Sequence, residues 1–141
     1  MNILLNLGQT ALHRLATLAI RATGMLPSLG LLHAQRSGHA ALASDLQEPF
    51  RHLVDAVVIE ATREISPDEF RSDDAGSHAL RIRPAASRLF FERLHARLAL
   101  PVAAHGSGDS RPYADWIADA ARSLRAHLLN PELPFTVFRH P

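Results

Sequence analysis

Apolar residues recur every three to four positions along most of this chain, the spacing that gathers them on one face of an α-helix. Asn2 to about Thr23 reads as a first helix, in which Leu5, Leu12, Leu15, Ala16 and Ala19 can share a buried face. Gly24 supplies a C-terminal stop, and Pro27 confirms the break. After a loop over 24–39, a second helix is predicted from about Ala40 to Glu64, closing at Ser66-Pro67. Its apolar stripe is Leu42, Leu46, Phe50, Leu53 and Val57, with Val54 beside it. Pro49 falls inside this helix. It has no amide hydrogen and its ring collides with the carbonyl of Asp45, so a local kink is predicted, at a cost of about 3 kcal/mol.

Further along, Ser66-Pro67-Asp68-Glu69 carries the S-x-x-E spacing of a capping box, with proline at the first helical position, and predicts a short helical turn. Asp73 to Ser77 reads as a turn and His78 to Arg83 as a short extended stretch. Pro84 opens a third long helix, to about Leu100, and Pro112 a fourth, to about Leu129. Between them Ala104–Arg111, rich in glycine and serine, reads as a flexible loop. The end, NPELPFTVFRHP, is too rich in proline for a helix and is expected to pack as an extended tail. No repeat or domain boundary interrupts the pattern. The expectation is a single all-α domain over 1–141, a bundle of about four main helices with an extended C-terminal tail.

The polar positions of the second helix carry the candidate chemistry. Asp45 and Glu48 stand at i and i+3, His52 lies four residues beyond and Asp55 three further, so the four line one stripe. A solvated amphipathic face is the ordinary explanation of such a stripe. A metal site is the sharper one, because two carboxylates held close repel unless a cation or a proton joins them. The loop GMLPSLGLLH ends in His33 and leads into the same helix, so an imidazole can be brought beside Asp45. One histidine with oxygen donors suits magnesium or manganese better than zinc.

Composition narrows the alternatives. The absence of cysteine excludes disulfides, thiolate metal sites and thiol catalysis. All 15 basic residues are arginine, a planar bidentate partner for phosphate, but a net charge of +1 excludes a globally basic protein. Any nucleic-acid surface must therefore be local. Arg81, Arg83, Arg88, Arg93 and Arg97 fall within 17 residues, with Arg93 and Arg97 on one helical face. They are phosphate-contact candidates or simply a solvated face. Arg36 and His39, between His33 and Asp45, are better placed to grip a phosphate beside a metal. Tyr113 and Trp116 read as core anchors of the last helix, and His13, His95 and His127 as ordinary helical histidines. The apolar start of the chain contains His13 and Arg14 and fits neither a secretory signal nor a membrane span, so a cytoplasmic location is expected.

Several strings bear on a family. Asn2 to Gly8 reads N-x-L-L-N-x-G, and Gly24 to His33 reads G-x-x-P-x-x-G-x-L-H. The next helix reads L-x-x-D-L-x-E-P-F-R-x-x-V-D from Leu42 to Asp55. Together they resemble the catalytic domain of the CRISPR-associated integrases, the Cas one family. The likeness continues weakly through Asp68-Glu69-Phe70 to the aromatic LPFTVFRHP tail. It implies an all-α domain that holds one divalent ion, magnesium or manganese, through a glutamate, a histidine and an acidic residue. It also implies DNA cleavage and joining of a prespacer 3′-hydroxyl to a repeat by transesterification, in CRISPR antiviral defence.

Carried onto this chain, His33 and Asp45 are the implied ligands and Glu48 a further acid of the same site; all three are the catalytic and metal candidates. Arg36, His39, Arg93 and Arg97 are the DNA-binding candidates. The implied partners are prespacer and repeat DNA, a second copy, and the family's small adaptation subunit, Cas two. The family's first ligand glutamate, on a helix preceding the Asn2 motif, has no position here, and neither has its amino-terminal β-rich domain. The chain is therefore expected to be an impaired endonuclease and integrase when alone. The alternative is a non-catalytic helical remnant that docks to DNA or protein. A helical metalloprotein unrelated to DNA would call for a repeated E-x-x-H signature, which is lacking.

Overall fold

The computed structural model describes residues 2–31, 40–72, 80–106 and 108–139. Helix α1 (Asn2–Ala22) is the central element, packed against α2 (Ala41–Gln47), α3 (Arg51–Ala61) and α5 (Tyr113–Leu129), while α4 (Pro84–Ala99) lies against α3. The all-α bundle expected from the periodicity is observed. Helices α2 and α3 are the two halves of the expected second helix, separated by a 3-10 turn over Glu48–Phe50. Pro49 is the cause. It can donate no hydrogen bond, so the ladder tightens, and the Arg51 amide reaches back to the Glu48 carbonyl.

The buried face of α1 is Leu4, Gly8, Leu12, Ala16 and Ile20, one residue out of phase with part of the predicted face; Leu5, Leu15 and Ala19 pack at its margin. The reason lies at Gly8. A Cβ there would stand 2.4 Å from Val54 Cγ1 and 3.1 Å from Phe90 Cζ, so only glycine lets α1 approach α3 and α4 this closely. Leu42, Leu46, Phe50, Leu53, Val54 and Val57 are all buried, as their stripe predicts. Tyr113 and Trp116 are buried core anchors. Gly24, with φ of 82°, ends α1 through the left-handed conformation a helix stop requires.

Two local expectations are corrected. The capping box at Ser66 is not formed: its side chain makes no cap bond, and the Glu69 amide bonds the Ser66 carbonyl at 3.0 Å instead. The turn lasts only for Pro67–Glu69 because Phe70–Ser72 (β1) leaves to pair with Leu80–Ile82 (β2), Phe70 opposite Ile82 and Ser72 opposite Leu80. The extended stretch was thus legible, but not its partner; the expected turn at 73–77 lies outside the described residues. The 104–111 segment is not wholly a loop, since Ser110–Pro112 (β4) pairs with Pro101–Ala103 (β3) across a turn containing Gly106 at φ 76°. No described helix is long and apolar enough to cross a membrane.

The tail beyond α5 forms no helix or strand among its described residues, as expected for its prolines. It is nonetheless anchored. The Thr136 amide donates to Ser123 Oγ at 2.9 Å, the His105 amide donates to the Arg139 carbonyl at 2.8 Å, and Phe138 is buried.

Candidate metal and nucleic-acid site

Helix α2 is short and has no side-chain cap; one of its first backbone donors is met by the loop that precedes it. The Leu42 amide donates to the Pro27 carbonyl at 2.8 Å, and His13 Nε2 on α1 lies 3.3 Å from the Ala40 carbonyl. One turn on, the Leu31 amide donates to Asp45 Oδ2 at 2.6 Å. The loop that runs towards His33 is therefore tied to the start of α2 at two points, one of them the candidate carboxylate itself. A backbone N–H on a carboxylate both orients it and satisfies one oxygen.

Glu48 follows at the head of the 3-10 turn. It is exposed, and its Oε1 accepts from Arg51 Nη1 at 2.9 Å, an i,i+3 pair. Asp45 and Glu48 both line a cavity of about 280 Å³ whose remaining walls are apolar. Leu46 and Pro49 come from their own segment, Leu124 from α5, and Phe135 and Val137 from the tail. The acid pair thus sits at the solvent-exposed edge of an otherwise apolar cavity. Of the other two residues of the stripe, Asp55 is exposed, and His52 is half-buried with its ring edge-on to Tyr113 at 6.0 Å. Burial pushes the Tyr113 hydroxyl above its ordinary value, with nearby Arg97 acting the other way, so this neighbour of His52 is neutral.

His33, Arg36 and His39 lie outside the described residues. Among the described residues no three His, Cys, Asp or Glu side chains are grouped to hold a metal ion. The pair that is described suits a hard cation in kind: two carboxylates, one already oriented by a backbone N–H, facing a common cavity. Arg93 and Arg97 lie elsewhere, on the face of α4 that meets α3. Arg93 Nη2 bonds both oxygens of Glu64, at 2.8 and 2.7 Å, and Arg97 pairs with Glu60. Each guanidinium has five N–H donors, so these pairs leave others for a phosphate.

Two features of the site escape sequence reasoning. The Leu31 amide acts through backbone, which no side-chain pattern reports. Phe138 reaches Phe50 from 88 residues away in sequence, and the aromatic tail signals burial without saying against what.

Residues 1–96 match the family model described as CRISPR associated protein Cas1, which spans α1 to most of α4 and includes His33, Asp45 and Glu48. The chain belongs to the Cas1 family. Among curated Cas1 proteins, the "CRISPR-associated endonuclease Cas1 3" of Thermus thermophilus is 35% identical over 138 residues, covering 94% of this chain and 40% of that protein. Another Cas1 endonuclease, from Korarchaeum cryptofilum, is 39% identical over 75 residues, 53% of this chain and 21% of the relative. The chain spans about two fifths of the length of the curated Cas1 relatives that match nearly all of it. Among solved structures, a chain of a partial Cas6-RT-Cas1–Cas2 complex superposes with a TM-score of 0.83 at 29% identity, covering 99% of this chain and 42% of that one. A casposase bound to its integration product gives 0.81 at 28% identity, covering 93% and 36%.

Proposed function

We propose that this Cas1-family domain contributes the His33/Asp45/Glu48 part of a divalent-metal site for DNA cleavage and strand joining in CRISPR adaptation. The single observation that supports this best is the placement of Asp45 and Glu48 on one cavity, with Asp45 oriented by the amide of the loop that leads to His33. Magnesium or manganese would be held by His33, Asp45 and Glu48. When bound, such an ion supplies Lewis-acid stabilisation of the charge that grows on a scissile phosphate.

The chain's own residues do the rest. Asp45 and Glu48 bring two negative charges to one edge, which disfavours DNA there until a cation intervenes. Arg51 holds Glu48 and limits the directions it can take. Arg36 and His39, by sequence position, and Arg93 and Arg97, through the donors left by their glutamate partners, are the groups proposed to hold phosphates. The attacking hydroxyl belongs to DNA, so no protein nucleophile is needed. DNA, a second copy and Cas2 are the proposed partners, Cas2 and an integration product being named with the structural neighbours.

The test is a cleavage and strand-joining assay on branched DNA with manganese, comparing the unaltered chain, His33→Ala and Asp45→Asn. Loss of a manganese-dependent product in both variants is expected. Equal activity in all three would refute the assignment, and metal binding without any product from the unaltered chain would favour the non-catalytic docking module.

A further inference from the structure

We propose that Phe138 is a positioning residue for the acidic edge: it fixes Glu48 through Phe50, which makes the C-terminal segment part of the metal site. This inference rests on the reading of Asp45 and Glu48 as metal-holding carboxylates.

Little else holds Glu48 in place among the described residues. Its segment is a 3-10 turn with Pro49 at the centre, where one backbone donor is missing and the hydrogen-bond geometry is poorer than in an α-helix. The carboxylate is exposed and pairs with the flexible side chain of Arg51. What fixes the turn is therefore the third residue, Phe50, whose side chain is fully buried.

The ring of Phe138 covers Phe50, stacked at 5.0 Å with 22° between the planes. Phe138 is wedged in turn by Tyr113, edge-on at 5.6 Å, and by Trp116 at 5.8 Å. Those two are fixed on α5, and Trp116 is further held by its indole N–H on the Val102 carbonyl at 2.9 Å. A continuous path of packed rings thus runs from the α5 scaffold through the tail to the turn that carries Glu48. The same tail supplies Phe135 and Val137 to the wall of the cavity that Asp45 and Glu48 line. Metal ligands must be held to within about half an ångström by the residues behind them, and loss of such support typically weakens metal binding by about 10–100-fold. Truncating Phe138 leaves Phe50 uncovered and its turn free to shift, with no charge or donor removed.

The experiment is calorimetric titration of manganese into the full chain, the unaltered protein beside Phe138→Ala, Phe138→Leu, Glu48→Gln and Leu94→Ala. Leu94 is buried on α4 and supplies a control for general loss of packing; helix content by circular dichroism is checked for each. Phe138→Ala is expected to weaken binding about tenfold, Phe138→Leu to recover part of the loss, and Leu94→Ala to bind as the unaltered chain does. Unaltered affinity in Phe138→Ala alongside weakened binding in Glu48→Gln would overturn the positioning role and leave the carboxylate reading standing. An equal loss in Leu94→Ala would overturn it as well, by showing a general effect. Full affinity in Glu48→Gln, or no manganese binding by the unaltered chain, would remove both claims.

Discussion

The acidic stripe that begins at Asp45 and the basic pair Arg93/Arg97 have the same helical spacing, yet the fold surrounds them differently. Arg97 meets Glu60 on α3 and Arg93 meets Glu64 in the turn just after it, so their charges are matched by the neighbouring segment. Asp45 receives a backbone N–H, Glu48 a side chain from its own turn, and both border an apolar cavity roofed by the tail. A periodic charge stripe alone does not distinguish the two outcomes. What separates them is the neighbouring element: glutamates on α3 and the turn after it in one case, a loop and an aromatic tail in the other.

The largest effect should come from removing the support of the acidic edge at its root. Phe50→Ala empties a fully buried site between α2, α3 and Phe138 and is expected to cost about 3–5 kcal/mol in urea unfolding. It should also weaken manganese binding, whereas a core truncation on α4 should not. The smallest effect should come from the arginine face. Both pairs are largely exposed, so Arg93→Ala and Arg97→Ala are each expected to cost less than about 1 kcal/mol, and less still at high salt. If these arginines reach DNA phosphates, each substitution should lower the salt dependence of DNA affinity by about one counterion. A cost of several kcal/mol at either position would show that the pairs are structural, and the contrast between the two stripes would narrow.

Much of the fold is legible in the chain. Periodicity, Gly24 and the prolines place the long helices, and Pro49 marks the break between α2 and α3 because its chemistry is local. The two hairpins were not legible as pairs, since Phe70–Ser72 and Pro101–Ala103 are three-residue strands whose partners lie across turns. The phase of α1 was missed in part because Gly8, which contributes no apolar side chain, is where the helix comes closest to its neighbours. At the site, the placement of Asp45 and Glu48 on one edge follows from spacing. The Leu31 amide and the Phe138 ring follow only from the path of the chain in three dimensions.

The central claim is that charge on Asp45 helps to hold a divalent cation. The direct measurement is the manganese isotherm of the unaltered chain against Asp45→Asn, which removes the charge but keeps an oxygen to accept the Leu31 amide. At least a tenfold weaker affinity in Asp45→Asn, with the Arg93→Ala/Arg97→Ala double variant unchanged, is the expected result. Superimposable isotherms for Asp45→Asn and the unaltered chain would contradict the account.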